Sequence, residues 1–284
     1  MIKNIHKYNN FLIFKQVESV DFDNLLPATY NNLFYTKSDF VKMLKQVLDF
    51  YYDEFNIKFL GFGAEGDAFK IDSKDGTKVL KITNNEKEAC AVEKIRKYNI
   101  TGLVDYYDVR RIIDTSDIYF VLYSILMENV EPLNNLEKTV WTFMRGYFFD
   151  LKYSEKNRNY LSINGKDLNY NEFIKNNSID RLKAVYETYK KHREKNNGFG
   201  VKQIYWISDY VDHELMITEE AYKIMLKFYH QFCDLVRGAI KYKLRLKDLH
   251  TDNVGKDING NFKFFDILHE KGITLKLKSI EVNL

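Results

Sequence analysis

The stretch Lys247-Asp248-Leu249-His250-Thr251-Asp252-Asn253, followed by Phe264-Phe265-Asp266, decides how this chain is read. An Asp, an Asn five positions later and a second Asp beyond a short hairpin form a demanding pattern. Phosphoryl transfer uses one carboxylate to orient an acceptor hydroxyl and hard oxygen ligands to hold Mg²⁺ on nucleotide phosphates. Asp248 suits the first role, and Asn253 with Asp266 the second. Between them, Lys256-Asp257-Ile258-Asn259-Gly260-Asn261 carries an Asn-Gly pair flanked by apolar residues, the strongest short-range hairpin signal. Such a hairpin returns Asp266 to the side of Asn253. The stretch predicts nucleotide-dependent phosphoryl transfer.

The 284 residues allow one large domain or two lobes with a substantial core. With 21 Tyr and 21 Phe, that core is expected to be built on rings. The 43 basic residues are scattered among 40 acidic ones, so the net charge of +3 offers no stripe for nucleic acid and no pull towards an anionic membrane. Cys90 and Cys233 lie far apart in helix-like apolar patterns, which predicts two buried thiols in a reducing compartment. The apolar patch Phe11-Leu12-Ile13-Phe14 is too short for a signal segment or a span, so a cytoplasmic location is expected. The six histidines have no ligand spacing with the cysteines, and zinc is not expected.

Upstream, Phe40, Met43, Leu44, Val47, Leu48 and Tyr51 follow the 3.6-residue period and predict a helix from near Ser38. The pattern then becomes strand-like. Strands are expected over 57–61, 67–71 and 78–82, with a Lys74-Asp75-Gly76 turn between the last two. A helix from about Asn85 to Tyr98 and two more strands, near Leu103–Ile112 and Ile118–Leu126, complete a mixed lobe. Beyond Glu128 the character is helical, near Leu136–Asp150 and Asn171–Lys195, with Asn196-Asn197-Gly198-Phe199-Gly200 as a loop. The longest pattern starts at Thr218, a good N-cap, and runs to about Tyr242, delivering the chain to Asp248.

Gly61-Phe62-Gly63-Ala64-Glu65-Gly66 fits G-x-G-x-x-G. A dinucleotide site needs those glycines to open a helix, but a strand-like segment follows here, so they sit in a hairpin able to cover phosphates. Lys81 interrupts the apolar run Val79-Leu80-Lys81-Ile82, as an edge-strand solubiliser or as a charge turned inward at phosphate. Glu88 lies beside the stripe Ala91, Val92 and Ile95 and is the expected partner of Lys81, with Glu93 in reserve.

Taken in this order, the motifs resemble the protein-kinase-like superfamily in an atypical form. Gly61, Gly63 and Gly66 resemble its glycine-rich loop, Lys81 its nucleotide lysine and Glu88 the helix glutamate that holds it. The segment 125–130 resembles the hinge, where the backbones of Glu128 and Val130 would hold adenine. Asp248 and Asn253 resemble the catalytic loop, and Asp266 the metal-binding Asp. The resemblance implies ATP and Mg²⁺, with Asp248, Lys81 and Glu88 catalytic and Asn253 and Asp266 on the metal. It also implies an α+β, two-lobed fold. Residues 1–54 would be an N-terminal extension with a helix and 55–130 a five-stranded antiparallel N-lobe. Residues 131–284 would be a helical C-lobe with an insert at about 131–216, truncated after the metal-binding Asp, since only 18 residues follow Asp266.

The departures from the family pattern bear on the acceptor. His250 stands where conventional protein kinases have a lysine, an Asp-Leu-His form closer to aminoglycoside and choline phosphotransferases. Leu246-Lys247 replaces His-Arg, Ile267-Leu268 replaces Phe-Gly, and the usual peptide-binding helices have no counterpart. A protein Ser/Thr hydroxyl is the expected acceptor, because no acidic cluster marks a cationic aminoglycoside or choline site. A small-molecule acceptor, a catalytically silent nucleotide-binding or interaction module, and nucleotidyl transfer (AMPylation) are the open alternatives.

Overall fold

In the computed structural model, which describes residues 36–62, 66–117, 121–149, 163–165, 167–195, 212–267 and 276–284, the first helical period is helix α1 (Lys37–Tyr51). Thr36 caps it, its Oγ1 accepting the Asp39 N–H at 3.3 Å, two residues before the start expected at Ser38. Strands β1 (Phe55–Phe62), β2 (Gly66–Ser73) and β3 (Gly76–Thr83) form an antiparallel meander. Helix α2 (Glu86–Ile95) follows, its first turn capped by Asn85 Oδ1, which accepts the Glu88 N–H at 3.1 Å. Strands β4 (Tyr106–Asp114) and β5 (Val121–Glu128) come next; residues 118–120, where the fifth strand was expected to begin, lie outside the described residues.

Then come β6 (Glu131–Pro132), α3 (Asn135–Phe149), β7 (Ile163–Asn164), α4 (Tyr170–Asn176) and α5 (Ile179–Lys195). The single helix expected over 171–195 is two. Asn177 ends the first, and Ser178 Oγ starts the second by accepting the Arg181 N–H at 3.2 Å. The loop expected at 196–200 lies outside the described residues. The chain continues through α6 (His213–Met216), α7 (Glu219–Lys241), β8 (Arg245–Leu246), a 3₁₀ turn (Thr251–Asn253), β9 (Val254–Lys256), β10 (Phe262–Phe264) and β11 (Ser279–Val282).

The main sheet has six strands in the order β1-β2-β3-β5-β4-β11, and the fold class is α+β. Five antiparallel strands were expected; the sixth comes from the C-terminal residues and runs parallel to β4, so the sheet is mixed. Its signal is short, a four-residue alternation in which only Ile280 and Val282 are buried. Two compact units result: one from within 1–89, 107–127 and 276–284, the other from 90–106 and 128–275.

In the first unit the stripe of α1 (Phe40, Met43, Leu44, Val47, Leu48) buries with Phe69, Ile71, Leu80, Ile82, Ile112, Ile280 and Val282. In the second, the core is built on rings. Trp141 of α3 lies 5.2 Å from Phe228 and 5.3 Å from Phe232, both of α7, and 4.9 Å from Phe264 of β10. Phe228 also stacks on Phe262. Those contacts fix β10, and with it the position of Asp266. Among the described residues no helix is long and apolar enough to cross a membrane, and Cys90 and Cys233 are free and buried.

Candidate functional site

In the first unit, Lys81 of β3 donates to both carboxylate oxygens of Glu88 at 2.9 Å. The two are 8% and 5% exposed, so this is a buried, bidentate pair and not an edge-strand charge. Glu93, the reserve partner, instead holds Arg96, the first residue beyond the helix. Gly61 follows a bulge at Leu60 and pairs with Ala68; Gly63 lies outside the described residues. Gly66 has a local reason to be glycine. It stands opposite Thr83, and a Cβ there would overlap the Ile82 carbonyl oxygen.

The second unit holds the other residues. Glu128 commits its N–H to the Asp105 carbonyl (2.8 Å), while its carboxylate accepts the Asp105 N–H (3.1 Å) and pairs with Lys263 (3.4 Å). At the segment expected to meet adenine, the Glu128 N–H is therefore already engaged. The Val130 side chain packs where a Cβ on Gly255 of β9 would have to go.

Leu246 and Leu249 are fully buried and anchor the 247–253 stretch, leaving Asp248 between them at the surface. Asp248 takes a left-handed backbone (φ 59°), a conformation that costs about 1–2 kcal/mol for most non-glycine residues and is tolerated best by Asn and Asp. Its carbonyl accepts both the His250 N–H (2.8 Å) and the Asn253 side-chain amide (2.9 Å). The Phe265 N–H reaches the Asn253 carbonyl (3.1 Å), and the Lys247 N–H reaches the Ile267 carbonyl (2.8 Å). Asp266 sits between these two tethers, also left-handed at φ 57°. Asp248, Asn253 and Asp266 are thus brought onto one hydrogen-bonded frame. Backbone strain of this kind concentrates at functional sites.

His250 Nδ1 accepts the Asp252 N–H (3.2 Å), which assigns the proton of the neutral ring to Nε2, 3.6 Å from the Asp248 carboxylate. Because the Asn253 amide nitrogen is committed to Asp248, its Oδ1 is the atom left for a cation, with the Asp266 carboxylate as a second hard donor. Among the described residues no group of three or more His, Cys, Asp or Glu is placed to hold a metal ion. The amide-plus-carboxylate set fits Mg²⁺, which keeps waters and phosphate oxygens in its shell.

Arg145 carries no signal in the sequence. Its helix α3 packs on the Thr251–Asn253 turn, and its Nε is buried without a hydrogen-bond partner. Burial pulls the guanidinium below its ordinary value, against the opposing effect of the Asp248 and Asp252 carboxylates. No local pattern could have linked Arg145 to a loop a hundred residues on; only the packing of α3 does so. No protein-family model matches the chain, and no curated protein does.

Proposed function

We propose that the chain is an ATP- and Mg²⁺-dependent phosphotransferase of protein-kinase-like, two-lobed fold. Its acceptor is a protein Ser/Thr hydroxyl, and it works in the reducing cytoplasm, where its two buried thiols stay unpaired. The observation that carries this is the frame joining Asp248, Asn253 and Asp266, with both aspartates held in left-handed backbone. In this role Asp248 orients the acceptor hydroxyl and takes its proton. Asn253 and Asp266 hold the cation, whose charge neutralises that developing on the phosphate oxygens. Lys81, kept in place by Glu88, binds nucleotide phosphate, and the glycine-rich hairpin excludes water.

The test uses ATP labelled separately at the γ- and α-phosphates, with Mg²⁺ and cell lysate, for wild type, Asp248→Ala and Asp266→Ala. Transfer of γ label to protein, reduced at least about 100-fold in both variants, is the expected result. Transfer of α label means AMPylation, γ label on a small molecule means the other acceptor class, and ATP binding without transfer means a silent module. Absence of any thermal shift with Mg-ATP would remove nucleotide binding itself.

A further inference from the structure

The main sheet ends at β11, whose far side meets no further strand among the described residues. On its β4 side, the Lys278 and Val282 carbonyls accept the N–H groups of Arg111 and Thr115, both at 2.9 Å. Alternate residues of a strand turn their backbone groups to opposite edges, so Ser279, Glu281 and Asn283 direct theirs away from β4. Asn283 is already satisfied: its N–H donates to Gln46 Oε1 (2.9 Å) and its carbonyl accepts from Gln46 Nε2 (3.0 Å). A side-chain amide offers the donor and the acceptor of a peptide unit, so Gln46 fills one place of a strand lying beside β11. Ser279 and Glu281, both exposed, hold the two places before it.

An open groove of about 500 Å³ runs there, between the edge and α1. Phe50, four residues after Gln46 on the same helix face, lines it and is 49% exposed. Its two carboxylates, Asp49 and Glu281, have no ion-pair partner among the described residues. Arg110, whose guanidinium lies 5.1 Å from the Phe50 ring centre, is committed to Asp108 at 2.6 Å. The opposite edge of the sheet, β1, is guarded by exposed Lys58 and by the bulge at Leu60. Strand β11 carries no lysine, proline or bulge.

We propose that this edge docks an extended basic segment of a partner protein, which adds to β11 as a strand and lays a Lys or Arg side chain between Asp49 and Glu281. Backbone pairing supplies the fit, and the acidic groove supplies the choice of side chain. The site is independent of the phosphotransferase reading.

A phage-displayed library of random eight-residue peptides is panned against the full chain, and an enriched peptide is resynthesised. Enriched sequences should carry Lys or Arg among alternating β-branched residues, and binding should shift the amide signals of Ser279 and Glu281. Ser279→Pro removes an outward N–H and leaves the β4 ladder intact, so it should weaken the peptide at least about tenfold. Asp49→Lys/Glu281→Lys should weaken it by at least as much. Methylating the peptide's own amides leaves the chain unaltered and serves where proline disturbs folding. Methyl groups on one set of alternate residues should abolish binding, and on the other set should not. Equal binding by wild type and Ser279→Pro, indifference to which amides are methylated, enrichment of acidic sequences, or no enrichment overturns the proposal. So does a wild-type dimer that Ser279→Pro converts to monomer in sedimentation, because a second copy of the chain would then be the occupant.

Discussion

Removing one charge from the Lys81–Glu88 pair leaves the other buried and unmatched, which sets the sign of each substitution there. Lys81→Met strands a carboxylate and should cost about 3–5 kcal/mol in urea unfolding. The double variant Lys81→Met/Glu88→Leu strands nothing and should recover most of that loss, yet remain inactive if Lys81 binds phosphate. A double variant as unstable as the single would show that packing, and not charge, dominates the site. This pair was legible in the sequence because a lysine inside an apolar strand and a glutamate beside an apolar helix stripe both violate the local pattern. Asp248, Asn253 and Asp266 were legible through spacing. Arg145 was not: it sits among buried residues on α3 as an ordinary helical arginine, and its meaning arises only where α3 meets the 3₁₀ turn.

Among the elements, the hairpin of β9 and β10 shows how a local signal and its execution differ. The Asn259-Gly260 pair does turn the chain, but only Gly260 has positive φ (72°), so the loop is not a two-residue type I′ turn. It spans Asp257 to Asn261 and is closed by the Asp257 carboxylate, which accepts the N–H groups of Asn259 (2.9 Å) and Asn261 (2.8 Å) and the Asn261 amide (3.0 Å). Burial pushes this carboxyl upward, but those hydrogen bonds and the nearby Lys263 charge outweigh it and hold it below the usual carboxylate range. With the folded value below the unfolded one of about 3.9, the stabilisation is complete above that pH and is lost as pH falls through the folded value. Asp257→Ala should therefore lower stability by about 2 kcal/mol at pH 7. The gap to wild type should shrink progressively below about pH 4. A gap independent of pH would mean that the carboxylate charge is not what closes the loop. Helices α1 and α7 and the first three strands were legible because each carries its own period or cap. The break at Asn177–Ser178 was hidden because side-chain caps can restart a helix without any change in the apolar stripe.

At the scale of the whole molecule, the first unit is assembled from three separated stretches of chain, the last being residues 276–284. Strand β11 places Ile280 beside Ile112 and Val282 beside Asp114, and both side chains complete the core around α1. The amide of Gln46 in α1 then clamps the Asn283 backbone from both sides, at 3.0 and 2.9 Å. A four-residue alternation gives almost no local warning of this, because a parallel partner more than 160 residues away is specified by the exposed edge of β4 and the open face of α1, not by neighbours in sequence. The energy at stake is large. Two fully buried aliphatic side chains contribute about 3–6 kcal/mol together, as an upper estimate, against a typical total stability of about 5–15 kcal/mol. A chain ending at Leu275 should accordingly melt well below wild type and unfold at lower urea. A synthetic peptide of residues 276–284 added in trans should raise its melting temperature as the peptide concentration increases. The same peptide with Ile280→Asp should not. A truncated chain as stable as the full one would show that β11 only decorates the sheet edge, and that the core around α1 closes without it.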